Sequence, residues 1–203
     1  MRNILTVLRR ELGNYFGSPI GYIFIIVFLV VNVGLFITPF FTFPVAEMRQ
    51  FFGLLPIILC VFIPAVTMRS WAEEKKENTI ELLLTFPMRT WELVAGKFLS
   101  GFLFLALALA GTGTIPLMLW SLGSPDPGPV AGGYLGSLLL GAFFLALGLF
   151  ISGLCRDQIV AFVLTLLAVF GIFLLGTDCI STYLAGMVPG LGTALMSLGG
   201  MAG

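Results

Sequence analysis

Five times along this chain, Asp, Glu, Lys and Arg disappear for long stretches. The charge-free runs are Leu12–Ala46, Gln50–Met68, Phe98–Pro125, Pro127–Cys155 and Gln158–Thr177. A helix needs about 20 apolar residues to cross the hydrocarbon of a bilayer. Trimmed at their turn residues, the runs predict five spans near 19–41, 51–68, 98–121, 132–153 and 159–177. The first run is too long for the apolar region of a signal peptide, and four more follow it.

Composition supports the same class. Of 203 residues, 59% are hydrophobic and 10% charged, with a mean hydropathy of +1.09. Soluble domains carry about 25% charged residues, and a soluble fold of this length could not bury so much apolar surface. The net charge is zero, which gives no bulk attraction to nucleic acid. The chain has no histidine, so a Ser–His triad, an HExxH zinc site and His-ligated haem are excluded within it. No catalytic residue and no metal ligand is assigned. Cys60, Cys155 and Cys179 are widely spaced and read as small apolar residues in or near spans.

The basic residues fix an expected orientation. With five spans, Arg2, Arg9, Arg10, Arg69, Lys75, Lys76, Arg89, Lys97 and Arg156 share one side, and only Arg49 lies on the other. The positive-inside rule makes the crowded side cytoplasmic, with the N-terminus.

Before the first span, residues 1–17 place Ile4, Leu5, Leu8, Leu12 and Phe16 on one helical stripe, with Arg2, Arg9 and Glu11 directed elsewhere. Two readings stay open: an amphipathic helix in the membrane interface, or a lead-in to the first span. The candidate interfacial residues are Leu8, Arg9, Arg10 and Leu12. Ser18-Pro19 then predicts an N-cap and a new helix. Pro56, Pro64 and Pro116 each predict a kink or a span end. The stretch Ser121–Gly133 is dense in Pro and Gly and predicts a solvated turn. Small residues four apart, Gly132 with Gly136, Ala142 with Ala146 and Gly148 with Ser152, suit close helix contacts in lipid.

The 69–97 segment has more pattern than a connector needs. Glu73, Glu74, Lys75, Lys76 and Glu77 form a mixed-charge run of helix formers that extends the second span into water. Asn78 and Glu81 resemble a capping box. The short helix that follows puts Ile80, Leu83 and Leu84 on one face, and Pro87 stops it. A further helix starts at Thr90 and carries Trp91 at interface depth. Exposed leucines rimmed by charge fit either a partner site or the bilayer surface.

This segment resembles the signature region of ABC type-2 exporter permeases, in Glu73-Glu74-Lys75, Thr79-Ile80-Glu81-Leu82-Leu83-Leu84-Thr85, Pro87, Trp91-Glu92, Val94 and Gly96-Lys97-Phe98-Leu99. The opening RRELGNYFGSPIGYI and the stretch Gly132–Thr165 are similar to the gliding-motility-type subgroup of that family. The resemblance implies an all-α polytopic membrane bundle, about five spans here and six in the family. It also implies an N-terminal interfacial helix (1–17) and a cytoplasmic coupling loop (69–97) whose helix docks on a soluble ABC ATPase subunit. By that resemblance Glu73, Glu74, Lys75, Lys76, Glu77, Thr79, Ile80, Glu81, Leu83 and Leu84 belong to the docking element. Asn78 stands where the family often has glycine. Residues 178–203 correspond to an outer re-entrant segment, so the single permease domain (1–203) is expected to be incomplete at its C-terminus.

The function so implied is that of a permease subunit in an ATP-binding-cassette exporter of a prokaryotic inner membrane. Its expected partners are the ATPase, a second permease subunit in a homo- or heterodimer, and membrane lipid, with no nucleic acid. The chain itself has no GxxxxGK[ST], so it is expected to bind no cofactor, with ATP and Mg on the partner and no enzymatic activity of its own. Two rival classes are a secondary transporter and a non-transporting anchor or assembly subunit. A secondary transporter usually carries ionisable groups at mid-membrane, and the five spans have none. Asp178 sits at the outer end of the fifth span and reads as a water-facing helix-terminal residue.

Overall fold

The computed structural model describes residues 2–42, 48–76, 89–122 and 127–176. They form seven helices: α1 (Arg2–Gly17), α2 (Pro19–Thr42), α3 (Arg49–Lys76), α4 (Thr90–Gly111), α5 (Thr114–Leu122), α6 (Pro127–Leu154) and α7 (Gln158–Leu175). Five segments are long and apolar enough to cross a membrane: Pro19–Ile37, Phe51–Lys76, Thr90–Trp120, Pro127–Leu154 and Gln158–Leu175. The protein is an all-α polytopic membrane bundle, as the charge-free runs predict.

α3 is the axis of the bundle and packs against α6, α7 and α2, while α4 packs against α1 and α6. Lipid is as apolar as leucine, so helices in it are held by close packing and by hydrogen bonds between them. The core is correspondingly dense. Leu55, Leu59, Ile63, Phe104, Leu105, Phe144 and Leu145 are fully buried at the meeting of α3, α4 and α6. α2 and α7 lie at the periphery, and only 22% and 17% of their span windows are buried.

Local chemistry explains the helix boundaries. The Ser18 hydroxyl accepts the Ile20 N–H at 3.3 Å, the expected N-cap of α2. Pro56 and Pro64 lie inside a continuous α3, contrary to a span end there. The third span does break. Pro116 has no N–H for the Thr112 carbonyl, and the chain turns tightly at Thr112-Gly113 before α5 begins. The Thr112 hydroxyl bonds the Leu109 carbonyl at 2.6 Å and lies 3.0 Å from the Tyr134 hydroxyl of α6.

Two expectations are corrected. The Pro/Gly-rich stretch does not stay a turn, because α6 starts at Pro127. Pro127 and Pro129 fall in the first helical turn, where backbone N–H groups have no intrahelical partner to lose. The small-residue pairs hold in part: Gly148 and Ser152 pack into the bundle as expected, whereas Gly132, Gly136 and Ala146 are exposed. Gly132 and Gly136 would meet nothing within 4 Å if given a Cβ. The face of α6 turned into the bundle runs through Ser137, Gly141, Phe144, Leu145, Gly148 and Ser152. A Cβ on Gly133 would come within 2.5 Å of the Phe52 ring, and one on Gly148 would strike the Thr67 side chain.

Candidate functional site

Lys97 lies in the second turn of α4 and is 3% exposed. An ammonium has three N–H donors, and all three are used. It donates to Glu74 Oε1 at 2.9 Å, to Glu11 Oε1 at 3.1 Å and to the Ser70 carbonyl at 2.6 Å. The Trp71 ring lies 4.8 Å away, measured to its centroid, within range of a cation–π attraction. One cation thus joins α1, α3 and α4. The two carboxylate side chains are only 12% and 13% exposed, so this is a buried ion triad.

Close packing around the triad brings α1 onto α4. Gly96 has no side chain, and a Cβ there would lie 2.6 Å from Val7 Cγ1. Val7 and Leu93 are both buried in that contact, with Trp71 against them. Asn3 donates to Glu92 Oε2 at 3.0 Å. The same carboxylate oxygen accepts the Arg89 N–H at 3.3 Å and so caps α4. At the other end of α1 the Tyr15 ring stacks on Phe104 at 4.9 Å, and its hydroxyl donates to the Val66 carbonyl at 3.4 Å. Burial pushes the Tyr15 phenol above its usual range, and the Glu11 charge adds to the shift.

α3 is tied to α6 at the same end. The Trp71 N–H donates to the Ser152 hydroxyl at 3.2 Å, and Lys75 Nζ donates to the Gly153 carbonyl. The end of α3, the start of α4, all of α1 and the α6–α7 turn therefore gather at one end of the bundle. That end carries Arg9, Arg10, Arg69, Lys75, Lys76, Arg89, Lys97 and Arg156, whereas Arg49 opens α3 at the opposite end.

Beside the triad lies a cavity of about 240 Å³ between α1, the start of α2 and α3. Its upper wall carries Arg10, Glu11, Arg69, Glu73, Glu74 and Lys97, and its lower wall Ile20, Phe24, Ala65 and Val66. The Arg69 Nε is buried and has no hydrogen-bond partner among the described residues.

The residues singled out from sequence fall unequally on this site. Glu74 is a member of the triad, Glu73 lines the cavity, Lys75 bonds α6, and Lys76 is exposed at the end of α3. Glu77, Thr79, Ile80, Glu81, Leu83 and Leu84 lie outside the described residues, as do Pro87, Asp178 and the 178–203 segment. On α1, Leu8 and Leu12 are half-buried and Arg9 and Arg10 exposed. Glu11, expected to point away from the packed stripe, points into it. The inward face of α1 runs through Ile4, Val7, Leu8, Glu11, Leu12 and Tyr15, so Leu5 is exposed instead of packed. Sequence reasoning treated Lys97 as the end of a loop and missed its burial. The available signal was its position, because helix periodicity runs unbroken from Thr90 through Lys97 into the third span.

The arrangement has the form of a mechanical junction. It joins three helices at the end where the chain leaves α3 and returns to α4. A polytopic bundle that gathers its basic residues at one end of its spans has the charge asymmetry of a multi-pass membrane protein. Residues 47–196 match the ABC-2 family transporter protein family, and the chain belongs to that family. It is also similar to the probable multidrug ABC transporter permease YbhR of Escherichia coli (strain K12), with 28% identity over 111 residues. That alignment covers 55% of this chain and 30% of the relative. The protein of the same name from Escherichia coli O157:H7 matches equally. The chain thus spans about a third of the length of these curated relatives.

Proposed function

We propose that this chain is the transmembrane permease subunit of an ATP-binding-cassette exporter, of the gliding-motility type. A separate soluble ATPase carries ATP and Mg, and this chain binds no cofactor and catalyses no reaction. A second permease, identical or homologous, completes the pathway. The crowded basic end faces the cytoplasm of a prokaryotic cell with the N-terminus.

The observation that carries this reading is the Lys97 triad. It ties α1 and α4 to the end of α3, on both flanks of the 77–88 segment. A push delivered to that segment by a docked ATPase therefore reaches three helices as a unit instead of being lost in a flexible link. Alternation between two packed arrangements is the physical requirement for such coupling.

The test is purification of the tagged chain from detergent-solubilised membranes. A soluble ABC ATPase that accompanies it and hydrolyses ATP supports the reading. Recovery of the folded chain without any nucleotide-binding subunit contradicts it and favours the anchor or assembly class.

A further inference from the structure

The cavity beside the triad has a chemistry that coupling does not use. Along one face of α3 the lining residues step from Ala65 and Val66 through Arg69 and Ser70 to Glu73 and Glu74. Helical rise puts about 12 Å between the first and last of these levels. The wall opposite has the same gradient, from Phe24 and Ile20 on α2 to Asn14 and Arg10 on α1. A single cavity thus passes from apolar to charged over the depth of a lipid headgroup and its glycerol.

The charges that line it balance, with Arg10, Arg69 and Lys97 against Glu11, Glu73 and Glu74. They are not equally committed. Lys97 spends its three N–H groups on Glu11, Glu74 and Ser70. Arg69 presents a planar donor fork suited to a phosphate, and its Nε lacks a partner among the described residues. Arg10 lies on the facing wall. Glu73 is the acidic residue left over from the triad. A volume of about 240 Å³ is several times that of one water, about 30 Å³, and so accommodates a polyatomic headgroup.

We propose that this cavity binds the headgroup of a zwitterionic phospholipid with a primary amine, of the phosphatidylethanolamine class. The phosphodiester sits between Arg69 and Arg10, the ammonium donates to Glu73, and the glycerol end descends past Ala65 and Phe24. A primary ammonium can donate hydrogen bonds to Glu73, whereas a trimethylammonium has no N–H to give. A net-anionic lipid such as phosphatidylglycerol satisfies the arginines but brings no cation to neutralise Glu73.

The purified, delipidated chain in detergent is titrated with short-chain phosphatidylethanolamine, phosphatidylcholine and phosphatidylglycerol. Bound lipid is counted by native mass spectrometry and the melting temperature followed in parallel. One retained phosphatidylethanolamine and a raised melting temperature are expected, with Arg69→Gln weakening binding about tenfold, the loss of one charge-assisted contact. Glu73→Gln is expected to abolish the preference over phosphatidylcholine, a change in selectivity that a folding defect would not produce. Arg156→Gln, outside the cavity, keeps both binding and preference. Equal binding of all three lipids by the unaltered chain overturns the proposal. So does equal protection by inorganic phosphate or free phosphoethanolamine, which would make the ligand a soluble phosphate compound.

Discussion

Lys97 Nζ and Glu11 Oε1 are 3.1 Å apart although 86 positions separate them in the chain. Their side chains are 2% and 12% exposed, so this contact fastens α1 to the bundle in a poorly solvated place. Removing one partner of a buried ion group strands the others. Lys97→Ala is therefore expected to destabilise the protein by about 3–5 kcal/mol, read by thermal or denaturant unfolding in detergent. The triple variant Lys97→Met, Glu11→Gln, Glu74→Gln is expected to regain most of that loss. A Lys97→Ala protein as stable as the parent would show that the triad does not hold the junction.

Glycines that look alike in sequence are expected to behave differently. Gly96→Ala forces a Cβ to within 2.6 Å of Val7 Cγ1 and should cost about 1–3 kcal/mol, as overpacking does. Trimming the neighbour with Val7→Ala should relieve part of it. Gly136→Ala meets open space and should be neutral or stabilising by up to about 1 kcal/mol through helix propensity. Unfolding midpoints of the three variants decide the matter, and equal effects at Gly96 and Gly136 would contradict the packing.

Tyr15 gives a pH dependence. Its phenol is raised in the folded state by burial and then by Glu11, above an unfolded value of about 10. The folded state therefore holds the proton more tightly. The resulting stabilisation is complete below about pH 10 and is lost as the pH rises from there through the folded value. Stability measured above pH 10 should fall more steeply for the parent than for Tyr15→Phe. Parallel curves would mean that the phenol is not the group responsible.

Leu83→Glu with Leu84→Glu is expected to abolish association with the ATPase while membrane insertion stays intact. Co-purification assayed alongside protease protection separates the two effects, and undiminished co-purification would remove the docking role from these leucines. Asp178→Asn is expected to leave export unchanged, and its complete loss would favour an ion-coupled mechanism.

The span count was legible because charge exclusion from hydrocarbon is a strong, one-dimensional constraint. The N-cap at Ser18 and the break near Pro116 were legible for a similar reason, since each depends on residues within one turn. The rotational setting of helices was not. Gly132 and Gly136 have the right spacing but face outward, because only the partner surface on α3 decides which stripe of α6 packs. Glu11 escaped notice on the same ground. A carboxylate reads as solvent-facing until its counter-charge is placed, and Lys97 lies on a helix distant in sequence. The Arg69 cavity is a property of four helices together and has no signature in any one of them.

The elbow between α1 and α2 has a consequence for how force travels. Ser18 alone separates the two helices, and Gly21 presses so closely on the Tyr15 carbonyl that no side chain fits between them. There is no slack there to take up a displacement. With 16 residues, α1 makes a rigid arm about 24 Å long, clamped near its middle by Glu11. Any tilt of that arm must appear as torque on the base of the first span. The peripheral helix α2, with so little of its surface gripped by the bundle, offers little resistance to being swung.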